Sequence, residues 1–389
     1  MHSLACIGFA LALVPVSFCQ TKGDLHAGDP SAFTITIDQP AYTNEPVWLR
    51  VLNGPIQNVR YPFYPAIGFF GCNKLEVRRD GVLLNRRTIP IAGMAWSSPA
   101  CGSSAPAGSP QGRLPFHVLY PLTQPGTYSV RWTIEDLDFT AGSHDRFRSI
   151  GESQWLTFTV LAETPGQHEN WVESVLANPP KDPGQIAGDF LPSLIADAPD
   201  PRALYVFLNY LYADNQIVAA EASSALELFP QSEVMHAVVE AIEEHGPSDQ
   251  LAYYASYHKG WTLADEGKAV HAAADYLIPP EKSRETAVHQ PYAPTSSSAA
   301  IKLLRFIFYV PNHAWPSDGN LNAWADAQVL RASPNIMAHG SIIAVQELAE
   351  YLGSTQPSVE AHSLLLRIAD RDDNAGKQAK ICLDWHRPS

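Results

Sequence analysis

The chain has 389 residues, 46% apolar and 17% charged, with 26 Lys and Arg against 40 Asp and Glu for a formal charge of −14. That apolar content excludes a disordered chain, and the acidic balance excludes a nucleic-acid surface running over the whole molecule, which needs clustered cations. At about 150 residues per domain, two or three domains are expected, and the 32 prolines add many rigid turns.

Residues 1–19 read as a signal peptide. The apolar stretch from Leu4 to Val16 is too short to span a bilayer, and Ser17 and Cys19 place small side chains before a cut at Gln20. The expectation is export to the periplasm or beyond, with a lipid-bearing Cys19 as the lesser alternative because Phe18 stands where such signals put a small residue. No later segment is apolar and long enough for a second anchor. In an oxidising compartment Cys72 and Cys101 are expected to pair, closing a loop of about 30 residues worth about 3–4 kcal/mol in the chain-entropy model. Cys382 is left as a buried thiol.

From residue 33 to 161 the apolar residues alternate, as in Phe33, Ile35, Ile37, then Val47, Leu49, Val51, then Tyr128, Val130, Trp132, and finally Leu156, Phe158, Val160. Period two marks half-buried strands. Residues 75–79 and 82–86 flank Asp80-Gly81, a pair that favours the positive φ angles of a tight hairpin turn. Short strands with Pro, Gly and Asn between them predict an antiparallel β-sandwich over 20–164. Residues 97–112 read as a long loop, and 136–153 as a second one carrying His144, Asp145, Arg146 and Arg148.

Past a linker with short helices at 165–200, the period changes to 3.6, as in Leu204, Phe207, Leu208, Leu211 and Val234, Val238, Val239, Ile242. Residues 201–389 are predicted helical. Helix starts are expected at the capping residues Asp200, Asp214, Ser232, Ser248, Ser297, Asp318, Asn335, Ser358 and Asp373. Their spacing in the last part, near 40 residues, implies a helix-pair repeat. Charge follows the same division: residues 1–162 hold 12 basic and 11 acidic side chains, residues 163–389 hold 14 and 29.

Two resemblances rest on these segments. Tyr42–Leu49 and Leu122–Val130 resemble the second-strand and sixth-strand signatures of immunoglobulin-like domains in exported bacterial proteins, which implies a tyrosine corner at Tyr128. Asp214–Ala222 and Asp373–Ala379 resemble the second-helix openings of HEAT-like repeats, although the usual Arg is replaced by Ala219 in one and appears only as Lys377 in the other. Together they imply an all-β plus all-α chain, an immunoglobulin-like sandwich followed by an α-α solenoid-like, HEAT-like domain.

No signature of a metalloprotease, a nucleophile elbow, a Cys-x-x-Cys pair or a complete phosphate loop occurs. Asp370 to Asn374 alternate carboxylates like a Ca²⁺ loop, but Ala375 and Ile381 stand where the turn glycine and the closing Glu belong. Cys382 and His386 are half of a zinc site at best. No cofactor and no metal are expected. Three surfaces stand as binding candidates: an aromatic stripe of Tyr253, Tyr254, Tyr257, His258 and Trp261, the arginines Arg78, Arg79, Arg86 and Arg87 around the hairpin, and the 144–148 loop. A core-packed stripe and a merely solvated arginine edge are the plainer readings of the first two. The expected function is non-enzymatic recognition of another envelope or extracellular protein. The competing readings are an envelope hydrolase drawing on Glu169, Asp265, His271 or His313, and a carbohydrate-binding module.

Overall fold

The computed structural model describes residues 32–53, 73–87, 113–137, 147–195, 200–257, 261–277, 297–309, 319–354 and 358–385. Its strands are β1 (Ala32–Ile37), β2 (Ala41–Tyr42), β3 (Trp48–Asn53), β4 (Asn73–Arg79), β5 (Val82–Leu83), β6 (Arg113–Pro115), β7 (Gly126–Leu137), β8 (Phe147–Ser153) and β9 (Leu156–Leu161), with the one-turn helix α1 (Phe116–Leu119) after β6. The long strand β7 organises them. One of its edges is taken by β4, the other by β9 along Gly126–Val130 and by β8 along Thr133–Leu137.

The all-β immunoglobulin-like sandwich is not what forms. All nine strands belong to one branched hydrogen-bonded path, β2-β9-β7-β8-β1-β3-β6 with β4 and β5 attached, and no closed sandwich results. Two of its pairings are parallel, β1 with β8 and β2 with β9, and three of its strands are only two or three residues long. Alternation in the sequence identifies strand residues and their inward faces, but partner choice is a non-local property that alternation does not encode. The faces are as expected: β9 alternates buried and exposed along its length. Leu75, Val77, Tyr128, Val130, Trp132, Leu156, Phe158 and Val160 share a core with Phe116 and Leu119 of α1, each large side chain contributing about 1.5–3 kcal/mol. At the hairpin Asp80 and Gly81 take φ 49° and 84°, and the Tyr128 hydroxyl donates to Gln124 O at 2.8 Å.

Helices make up most of the rest. After α2 (Gln167–Ala177) a continuous helical run holds short α turns at Pro183–Gln185 and Leu191–Ser193 on either side of a π-helix, Ile186–Phe190. Then come α3 (Pro201–Tyr210), α4 (Gln216–Leu226), α5 (Gln231–His245), α6 (Asp249–Tyr257), α7 (Leu263–Asp275), α8 (Ser297–Tyr309), α9 (Gly319–His339), α10 (Ile342–Ser354), α11 (Val359–Ala369) and α12 (Asn374–Trp385). Helices two places apart in the chain pack on each other, so α3, α5, α7, α9 and α11 form one layer and α4, α6, α8, α10 and α12 the other. A single apolar core runs between the layers.

The caps explain most starts. Asp200, Ser248, Ser358 and Asp373 accept from backbone N–H groups of the turns they open; Asn215, next to the expected Asp214, caps α4. α5 opens at Pro230 instead of Ser232. Asn335 opens nothing, because α9 continues through Pro334 to His339. The starts of α8, α10 and α12 are therefore unevenly spaced, while α9 and α11 keep the expected spacing near 40 residues.

Two sets of charges lie inside this array. Glu347 of α10 sits 3.7 Å from Lys302 and 3.3 Å from Arg305, both on α8, while Lys302 reaches Asp249 of α6 at 3.3 Å and Arg305 reaches Glu350. Glu221, in the middle of α4, is 3% exposed, and its Oε2 has no hydrogen-bond partner among the described residues. α4 is buried nearly all round, lined by Ala219, Ala220, Ala222 and Ala225, the pattern of a central helix.

Candidate binding cleft

A cleft of about 290 Å³ opens between α2 and the π-containing run. Gly166, at φ 78°, turns the chain out of the strands and into α2, a backbone conformation that glycine adopts without the cost of a Cβ. α2 contributes Ser174 and Val175 to one wall, and its C-cap Asn178 extends it. The other wall is Gln185, Asp189, Phe190 and Ser193, and Pro180 closes the end. The π-helix is what sets this wall: its wider turn, followed by Pro192 with no N–H to give, buries Ile186, Ala187 and Leu191 while Asp189 and Ser193 reach the cleft.

Both walls are tied to segments that flank the strands, the β2–β3 turn and α1. At the head of α2, Gln167 Nε2 donates to Glu45 Oε1 at 2.6 Å. On the opposite side His117 of α1, fully buried, donates from Nε2 to Pro192 O at 2.8 Å. Its Nδ1 lies 3.0 Å from Val47 N and 2.9 Å from Val47 O, so a neutral ring accepts the N–H and a protonated ring donates to the carbonyl. Trp48 meets the imidazole edge-on, with ring centroids 5.6 Å apart. α1 also sends Val118 into the helical core while Phe116 and Leu119 enter the strand core. The cleft is thus held open by contacts made far from it in sequence.

A third tie joins α2 to α3. Arg202 donates to Glu169 Oε1 at 2.9 Å and to Asp200 Oδ2 at 2.6 Å. The Arg202 guanidinium holds the Asp200 carboxyl below the ordinary carboxylate range, and the Arg202 pKa is raised in turn.

The lining decides what chemistry is open to the cleft. Of its eight residues, Asp189 alone carries an acidic or basic side chain. Acid–base catalysis wants a pair of titratable groups of separated pKa, and a serine nucleophile wants a base in hydrogen-bond reach. Neither pairing is among the lining residues. What remains is a set of hydroxyl and amide groups over the apolar side chains of Val175, Pro180 and Phe190, an arrangement that binds and orients.

The residues singled out from the sequence are placed differently. Tyr254 is fully buried and Trp261 is 8% exposed, its indole N–H donating to Ala255 O at 3.3 Å. Tyr254 and Trp261 are therefore core residues, while Tyr253 is half-buried on α6; the Tyr257 side chain and His258 lie outside the described residues. Arg78 pairs with Glu76 at 2.7 Å, Arg79 with Gln124 and Asp80, and the Arg87 N–H donates to Leu119 O. Arg86 is half-buried near Tyr120, whose hydroxyl burial pushes up in pKa and Arg86 draws down. Arg148 falls on β8 opposite Asp136; His144, Asp145, Arg146, Cys72, Cys101, His313 and His386 lie outside the described residues. Cys382 is a buried free thiol, which burial pushes up to about 11.

The described hydrolase candidates are each engaged by different neighbours. Glu169 is held by Arg202, His271 packs on Trp324 with centroids 4.1 Å apart, and Asp265 accepts from Thr262 at 2.7 Å with His236 at 3.6 Å. Burial raises the Asp265 carboxyl, and the bonds from Thr262 and His236 more than offset it, leaving it below its ordinary value. Among the described residues no group of three or more His, Cys, Asp or Glu is placed to hold a metal ion, and no helix is long and apolar enough to cross a membrane. Neither a family model, nor a curated protein, nor a solved structure matches the chain, so the immunoglobulin-like and HEAT-like resemblances gain no support from such comparisons.

Proposed function

We propose that this is an exported protein that works by binding, and that the cleft between α2 and the π run receives a short polar segment of another envelope or extracellular protein. Export rests on the apolar stretch from Leu4 to Val16. The observation that carries the binding reading is a cleft whose two walls are fixed by separate hydrogen bonds to the β2–β3 turn and to α1, Gln167 to Glu45 and Pro192 to His117. A site fixed before its ligand arrives loses less entropy on binding. Its volume, about 290 Å³, fits one or two side chains, and its hydroxyl and amide groups fit backbone and polar side chains better than a charged polymer.

Panning a random peptide display library on the full chain tests this. The expected outcome is enrichment of a short motif with polar residues around one apolar anchor, whose capture is abolished by Ser174→Trp, a substitution that fills the cleft. Enrichment that survives Ser174→Trp, or no enrichment at all, overturns it.

A further inference from the structure

Among the described residues helix α11 is the last of its layer, packed on α9, α10 and α12. It buries Ala361, Leu364, Leu365 and Ile368 against them. Its opposite face leaves Val359 90% and Leu366 49% exposed. These two are seven residues apart, hence on one stripe, whereas the outer face of a terminal helix in a stacked array is ordinarily polar. Glu360 and Arg367 run beside them with the same spacing, exposed and without an ion pair to any described residue.

This pattern is self-complementary. If α11 lies antiparallel on α11 of a second copy, about a two-fold axis near His362 and Ser363, then the Val359 end of each stripe meets the Leu366 end of the other. Glu360 of each copy then meets Arg367 of the second copy, twice per pair. Within one helix the two charges are about 10 Å apart along the axis and do not neutralise each other, so the second copy supplies what the single chain lacks. We propose that α11 is a self-association surface through which two copies of the chain pair antiparallel about a two-fold axis, the isologous arrangement commonest among oligomers. One helical face buries less than the area of a standard interface, so the dimer is weak and concentration-dependent.

Sedimentation velocity on the full chain, from about 1 μM to about 200 μM, reads the association constant. The expected result is a monomer–dimer equilibrium in that range, weakened about tenfold or more by Glu360→Lys and likewise by Arg367→Glu, each of which sets like charges opposite one another. An equimolar mixture of the two variants is then expected to recover association within about threefold of wild type, because in the mixed pair both contacts are again opposite in sign. Both positions are exposed, and unchanged circular dichroism melts confirm folding. A monomer throughout the range, single variants that associate like wild type, or a mixture no better than its components each overturns the proposal.

Discussion

The outer face of the strands and the interior of the helical array use the same side chains to opposite ends. On the strands Glu76 accepts from Arg78 and Arg131, Arg131 reaches Glu152 at 2.6 Å, and both guanidinium groups lie over the Trp155 ring, 4.5 and 5.1 Å from its centroid. Water still reaches these groups, and the bonds from Arg131 and then Arg78 hold the Glu76 carboxyl below its usual range. In the array Glu347 also has two cations, Arg305 and Lys302, yet burial outweighs them and its pKa is raised. Glu221 has burial alone and is raised well above the ordinary value. The number of opposite charges nearby does not set the sign; the water left around the group does.

The largest expected effect breaks the interior network. Arg305→Met leaves Glu347 and Glu350 without their shared cation and is expected to cost about 3 kcal/mol, read as a lower midpoint in urea unfolding. A loss below about 1 kcal/mol would mean that water enters the network and that it resembles the strand face after all.

The next prediction is a pH window. A carboxyl raised in the folded state contributes fully below the unfolded pKa near 4.3, and that contribution is lost as pH rises through the folded value. Glu76, lowered, behaves in reverse: its contribution is present above the unfolded pKa and is lost as acid takes the pH down through the folded one. Urea midpoints measured from acid to alkaline pH should therefore fall more steeply toward alkaline pH in wild type than in Glu221→Gln, which keeps the shape and removes the ionisation. Parallel curves would show that Glu221 is not buried in solution. Smallest is Trp155→Ala. Guanidinium groups at exposed aromatic faces are worth about 0.5–1 kcal/mol, so the melting temperature should drop by only a few degrees, and a large loss would make the exposed ladder part of the core.

Local features were legible in the sequence, and long-range ones were not. Alternation marked Leu156, Phe158 and Val160 as inward, Asp80-Gly81 marked the hairpin, and the capping rule found Asp200, Ser248, Ser358 and Asp373. The plainer reading of Tyr254 and Trp261, as core, is where burial puts them. Strand partners could not be read because β1 pairs not only with the nearby β3 but also with β8, across a long stretch of chain. Ser333-Pro334-Asn335 looks like a break, yet Val329, Ala332 and Ile336 are buried on both sides of Pro334, and their packing carries α9 through. The cleft was missed because it lies in what reads as a linker, and one of its walls is set by a histidine 75 residues away from Pro192.

Calorimetric titration of a panned peptide into wild type and Ser174→Trp bears most directly on the binding account. Saturable binding with a Kd near 10 μM, about −7 kcal/mol, weakened at least about tenfold in the filled variant at an unchanged melting temperature, is the result predicted. Equal affinity for both proteins, or a peptide recovered cleaved from the cell, would contradict it.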